Sequence, residues 1–292
     1  MLLVALLWST AGVVSRHLQA AASFEVTFWR SAFTALALIG LLCWLRGPRV
    51  LWAALLGGGR ALWLSGLCWC VMFTAFMLAI TLTTVANVLV TLALAPLFTA
   101  LAARLVLHQR LPRRTWAAVL AAGAGIAWMF GHQAGGDAPW LLGTAVALCV
   151  PLAAATNWTL LQHLRGREGA PDMLPAVLIG ALLSAALTLP LALPFQASGH
   201  DLALLAGLGV GQLAVPCLIA VAVARVLPAP EVALLALLEV IFGVAWAWLF
   251  AGEAPGQAAI AGGALVLAAL AANEALALRE RSRTLSLDDR PA

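Results

Sequence analysis

Residues 173–194 read MLPAVLIGALLSAALTLPLALP, 22 consecutive positions without a single charge. About 20 mostly apolar residues are enough for a helix to cross the hydrocarbon core of a bilayer. The same reading applies to ten segments, at about 2–20, 24–45, 61–81, 85–106, 115–132, 140–162, 173–194, 202–225, 230–251 and 257–278. We call them spans 1 to 10. Composition agrees: 64% of the 292 residues are hydrophobic and 10% charged, against roughly 45–50% and 25% in soluble domains. So few charges cannot cover a soluble surface. The same figures exclude disorder, collagen and coiled coils. The expected fold is an all-α integral membrane protein of ten transmembrane helices, with no room for a soluble domain.

All 16 basic residues are Arg. In a soluble protein a net charge of +4 would be modest evidence for nucleic acid; here the arginines lie between apolar runs and report orientation. They gather in alternate connections (Arg46, Arg49 and Arg60; Arg110, Arg113 and Arg114; Arg165 and Arg167; Arg225) and in the tail from Arg279. The connections 82–84, 133–139, 195–201 and 252–256 carry none. Arg16 and Arg30 break the pattern. Both termini are therefore expected to be cytoplasmic, and no removable signal peptide is expected. Cys43, Cys68, Cys70, Cys149 and Cys217 lie in apolar stretches without metal-ligand spacing and read as small buried hydrophobes.

The chain also repeats. A shift of 144 residues lays spans 3–5 on spans 8–10, with Ala95-Pro96-Leu97-Phe98 over Glu239-Val240-Ile241-Phe242 and His108-Gln109 over Gly252-Glu253. Arg16-His17-Leu18 meets Gln162-His163-Leu164 at a shift of 146. Five spans is an odd number, so the second copy enters the membrane from the opposite side. The halves are expected at 1–135 and 136–279, followed by a tail at 280–292. Inverted repeats place a solute site near the midplane between them.

The segment Pro228-Ala229-Pro230-Glu231-Val232-Ala233-Leu234-Leu235, then Leu238-Glu239 and Trp248-Leu249-Phe250-Ala251-Gly252-Glu253, resembles the signature of the EamA-type drug/metabolite transporter superfamily. Trp8-Ser9-Thr10 and Arg30 resemble its N-terminal half, and the run of spans 1–4 is similar to its aromatic amino acid exporters. Two positions depart from the pattern: Val240 stands where Pro follows Glu, and Gln109 where the first repeat ends in Glu. The resemblance implies alternating access around a cavity lined by spans 1–4 and 6–9, in a bacterial inner membrane.

Several side chains are candidates for the site. Trp69, Met72, Phe73 and Phe76 fall at i, i+3, i+4 and i+7, one helical face that suits either packing or a wall for bulky apolar groups. Asn157-Trp158 pairs an amide with an indole and can orient an amino acid. Asn87 and Gln212 are polar groups in apolar spans, suited to a zwitterion or to interhelical hydrogen bonds. Glu239 lies mid-span, as a proton-exchanging or ammonium-binding group or as a helix tether. Arg30 can bind a carboxylate or snorkel to the interface beside Glu25. Gly207-x-Gly209-x-Gly211 reads as close packing, not as a dinucleotide loop. Pro96, Pro151, Pro190 and Pro216 are expected to interrupt their spans, and Trp44, Trp52, Trp63, Trp116 and Trp140 to anchor at interfaces.

The sequence has no His-Glu-x-x-His, Gly-x-Ser-x-Gly or nucleotide-binding loop. An intramembrane enzyme is the remote alternative, and a channel has no need of bent, inverted pairs. The expected function is secondary export of amino acids, aromatic and other bulky apolar ones foremost. The alternative is export of other metabolites or drugs by proton antiport. No cofactor, metal or nucleic-acid partner is expected, and the chain is expected to be a monomer in the bilayer.

Overall fold

The computed structural model describes residues 1–15, 17–83, 85–130, 138–251 and 256–288, and among them there is no strand. The helices are α1 (Leu2–Trp8), α2 (Ala11–Ser15), α3 (Ser23–Arg46), α4 (Pro48–Gly57), α5 (Gly59–Leu82), α6 (Val85–Leu92), α7 (Ala95–Val106) and α8 (Arg113–Phe130). They continue with α9 (Ala138–Leu164), α10 (Pro175–Ala192), α11 (Gly199–Gly207), α12 (Val215–Val223), α13 (Ala229–Ala236), α14 (Leu238–Ala251) and α15 (Gln257–Asp288). A π-helical segment, Leu208–Ala214, joins α11 to α12.

Six helical stretches are long and apolar enough to cross a membrane: Phe24–Arg46, Gly59–Leu82, Leu141–Leu164, Pro175–Ala192, Gly199–Val223 and Ala229–Phe250. Leu2–Val14, Ala95–Val106 and Ile260–Asn273 are shorter apolar helices. The chain is a multi-pass membrane protein. Its outward face fits a lipid surround, with Leu36, Trp44, Leu56, Leu105 and Phe250 all exposed. Hydrocarbon solvates such side chains as well as a protein core would.

Packing is tightest where side chains are smallest. α10 lies against both α3 and α5, α5 along α9, and α8 along α15. A Cβ on Gly180 would run into the Cβ of Trp69 and come within 3.0 Å of the Cys70 amide, so glycine alone lets α10 and α5 approach this closely. Ser184, one turn further on, joins three helices: its Oγ lies 3.0 Å from Ser31 Oγ on α3 and 2.9 Å from Thr74 Oγ1 on α5. Gly209 plays the part of Gly180 between the π segment and α3, where a Cβ would meet the Arg30 carbonyl at 2.8 Å. Gly207 and Gly211 have open space, so only the central glycine of that run makes a close approach.

The two ends of the bundle are tied by different chemistry. At one end, buried Glu25 at the start of α3 accepts from the amides of Gln196 and Ala197 and from Trp29 Nε1. Buried Asp201, at the start of α11, accepts from the amides of Gln19, Ala20 and Ala21. Asp201 also completes a capping box with Ser198, which satisfies donors at the helix start. Each helix start thus holds the connection that leads into the other. At the far end of α3, Asp172 bridges Arg46 and Arg225 at 3.4 and 2.7 Å. Gln162 at this end donates to Gln109 Oε1 at 2.9 Å and accepts from the Ala229 amide at 2.8 Å. Gln109, which departs from the expected Glu, therefore has a neutral amide as its partner.

Four features differ from the sequence expectation. Residues 48–57, read as a connection, form α4, which begins at Pro48 after Gly47 at φ +83°. It buries Leu51 and exposes Val50, Trp52 and Leu56, as a helix lying in the membrane interface would. Pro151 and Pro190 sit inside continuous helices and do not interrupt them. Cys149 is exposed, so it is an outward apolar side chain and not a buried one. α15 continues through most of the expected tail to Asp288, because nothing between Gly263 and Pro291 breaks a helix.

The close approach of α10 to α5 generates a test. Gly180→Ala should lower the thermal stability of the purified protein by about 1–3 kcal/mol, the usual cost of overpacking. Gly123→Ala, where a Cβ meets open space, should leave the melting temperature unchanged or slightly raised.

Candidate functional site

Three helical discontinuities converge on one cavity. α6 gives way to α7 at residues 93–94, where the Leu94 amide turns back to the Thr91 carbonyl at 3.1 Å. α13 gives way to α14 at Leu237, whose amide reaches the Leu234 carbonyl at 3.2 Å. The π segment 208–214 is the third, and Pro216 stands two residues beyond its end. A proline in a regular helix would clash with the carbonyl four residues back, and the wider turn relieves this. Irregular backbone at membrane depth is tolerated where it lines a cavity.

That cavity measures about 140 Å³. Trp69, Met72, Phe73 and Phe76 of α5 all line it, together with Trp158 of α9. Their rings interlock: Trp69 meets Trp158 edge to face at 5.7 Å and Phe73 at 5.6 Å. Gln212 from the π segment and Glu239 from the first turn of α14 reach the same space. Of the expected site residues, these seven are thus brought together.

Asn157 is not among them. It is buried and accepts from Ser65 Oγ at 2.6 Å, tying α9 to α5. Successive residues on a helix point about 100° apart; here Trp158 faces the cavity and Asn157 faces α5. The side chain of Asn87 lies outside the described residues.

Arg30 lines the cavity as well, and so do Trp8 and Cys217, which the sequence reading did not propose for the site. Of the two readings of Arg30, carboxylate binding or snorkelling beside Glu25, its position fits the first: it is 3% exposed and lines the cavity. It stands seven residues into α3, about 10 Å from the helix start at 1.5 Å per residue. Its Nη2 donates to the Phe73 carbonyl at 3.3 Å. Arg30 and Glu239 interact electrostatically across the cavity without an ion pair closer than 4 Å. Counting residues from the expected start of span 2 would have revealed the depth of Arg30. Among the described residues, no cluster of His, Cys, Asp and Glu can hold a metal.

An all-helical membrane protein with an aromatic cavity, opposite charges across it and broken helices around it has the build of a small-molecule carrier. Residues 1–131 match the EamA-like transporter family, a family of the drug/metabolite transporter type. Transporters of that family act on small molecules in a lipid environment. The match covers the first half; the signature-like residues 228–253 lie beyond it. No curated protein matches the sequence. A crystal structure described only as that of a protein shares the fold with a TM-score of 0.73, at 20% identity over 95% of this chain and 96% of that one.

The placement of Asn157 gives a second test. Asn157→Leu should cost about 0.6–1.7 kcal/mol of stability, the range measured for one interhelical hydrogen bond in a membrane protein. Substrate affinity in proteoliposomes should stay within about two-fold of wild type, well under the roughly ten-fold that a lost charged hydrogen bond removes.

Proposed function

We propose that this chain is a secondary transporter that exports amino acids, foremost tryptophan, phenylalanine and other bulky apolar ones, by alternating access through the central cavity. The observation that carries the reading is the cavity wall, built from Trp69, Phe73, Phe76, Met72 and Trp158 around few polar groups. Flat rings offer large apolar contact to an aromatic side chain, and Met adapts to irregular ones. Small acidic side chains would find no cation beyond Arg30 among the described lining residues.

The reading takes the chain as ten transmembrane helices in two inverted five-helix repeats, residues 1–135 and 136–279, with 280–292 as a tail. It sits as a monomer in a bacterial inner membrane with both termini cytoplasmic. Two observations support the repeat. Helix pairings exchange under a five-span shift: α5 with α9 becomes α12 with α1, and α5 with α10 becomes the π segment with α3. α3 with α10, α7 with α13 and α8 with α15 map onto themselves. The break at Leu237 also falls 144 residues after the break at Ala93, although Val240 replaces the proline that Pro96 supplies there. The alternating arginines support the orientation.

Uptake of labelled tryptophan into proteoliposomes, competed by each amino acid and by unrelated drugs, tests the substrate class. Phenylalanine should compete strongly and aspartate and glutamate poorly. Acidic amino acids competing as well as phenylalanine would remove the aromatic assignment.

Export by proton antiport is the second reading, favoured by Glu239 facing the cavity. The titratable groups coupled to it are Arg30 and Cys217. Under this reading Glu239→Gln abolishes the dependence of uptake on a pH gradient while the fold survives. Unchanged pH dependence in that variant leaves a carrier driven by the solute gradient alone.

A further inference from the structure

The cavity contains polar atoms that nothing in the protein satisfies. Arg30 Nε and Trp69 Nε1 have no hydrogen-bond partner, and neither does Gln212 Oε1. All three belong to side chains that line the cavity and are 3%, 2% and 6% exposed. Buried polar atoms in proteins are nearly always paired, so three orphans around one space point to a missing ligand. They also sort by chemistry. Arg30 Nε and Trp69 Nε1 can only donate, whereas an amide oxygen can only accept. Glu239 adds a second acceptor on the cavity wall, with no hydrogen bond to it among the described residues.

We propose that the cavity reads the backbone of an α-amino acid as a zwitterion. Its carboxylate is received by Arg30 and the Trp69 indole N–H, and its ammonium by Gln212 and Glu239. This rests on the proposed amino acid export and names what selects the amino acid as such, whatever its side chain. A carboxylate suits two converging N–H donors, one of them cationic. An ammonium has three donors and no acceptor, so it complements an amide oxygen and a carboxylate. The remaining bonds hold these groups in place. Gln212 Nε2 donates to the Trp8 carbonyl at 3.3 Å, which leaves its oxygen as the free end. Arg30 Nη2 is taken by the Phe73 carbonyl, which leaves Nε. Asn157, the amide expected to orient an amino acid, accepts from Ser65 and does not line the cavity.

The test compares whole and half headgroups on the wild-type protein. Tryptophan uptake into proteoliposomes is competed by phenylalanine, tryptamine (no carboxylate) and indole-3-propionate (no ammonium). Thermal stabilisation by each compound, and by leucine against isoamylamine, is read in parallel. Each half-headgroup compound should bind about ten-fold or more weakly than the complete amino acid, the effect of one charged hydrogen bond. Trp69→Phe should weaken tryptophan and indole-3-propionate while sparing tryptamine, and Gln212→Leu should weaken tryptophan and tryptamine while sparing indole-3-propionate. A packing role alone would weaken all three alike, and that result overturns the proposal. So does equal competition by the half headgroups in wild type, with aromatic uptake itself still standing. If no aromatic amino acid is carried but leucine stabilises the protein and isoamylamine does not, the aromatic reading falls and this one survives. A chain neither transporting nor stabilised by any α-amino acid overturns both.

Discussion

Hydrocarbon offers no hydrogen bonds, so every backbone amide and carbonyl at membrane depth must be paired within the protein. This constraint makes the chain helical throughout its described spans, and it also decides where helices can break. The breaks at residues 93–94, at Leu237 and along 208–214 face the central cavity, where polar atoms and a ligand or water can take up what the helix leaves unpaired. The same constraint governs side chains. Ser31, Thr74 and Ser184 share hydrogen bonds at the meeting of α3, α5 and α10, and Ser65 with Asn157 closes the gap between α5 and α9. These bonds hold helices together, whereas on the cavity wall Arg30 Nε, Trp69 Nε1 and Gln212 Oε1 are left without a partner.

A carrier must also open at one end while it stays closed at the other, and the two ends here differ in kind. Glu25 and Asp201 tie their connections through backbone amides, with the carboxylates buried. Such charge-assisted bonds are about twice as strong as neutral ones, and removal of either carboxylate would strand several amides together. The other end relies on the Asp172 pairs with half-exposed Arg46 and Arg225. Exposed ion pairs contribute about 0–1 kcal/mol. Gln162 adds neutral bonds to Gln109 and Ala229. The end of α3 that carries Glu25 is therefore the more firmly tied.

What the sequence makes legible follows from helical periodicity. The four residues 69, 72, 73 and 76 lie on one face in any α-helix, and they form the cavity wall as the spacing predicts. Trp158 lines it too, whereas Asn157 beside it turns to Ser65 on α5. The break at Ala93 is visible as Pro96, but its counterpart at Leu237 carries no proline and no composition signal. It is fixed by packing around the cavity, which a local reading cannot see. α4 was hidden for another reason: its ten residues are too short to span, and an interfacial helix resembles an apolar loop until its exposed face is known. Arg30 reads equally as a carboxylate ligand or an interface residue in sequence; its depth in α3 decides between them.

That depth bears on why the cavity keeps its charges. Insertion scales put a central Arg or acidic group at about 2.5–3.5 kcal/mol, and a buried atom without a hydrogen bond adds about 1–3 kcal/mol. Arg30 and Glu239 could lower both costs by meeting in a direct ion pair, and the helices that carry them border the same small space. They stay apart, with Arg30 Nε and Gln212 Oε1 also unpaired. A fold with stability as its only constraint would replace such groups with apolar ones of similar volume. Keeping opposite charges separated across an aromatic cavity makes physical sense when something bearing both charges enters between them.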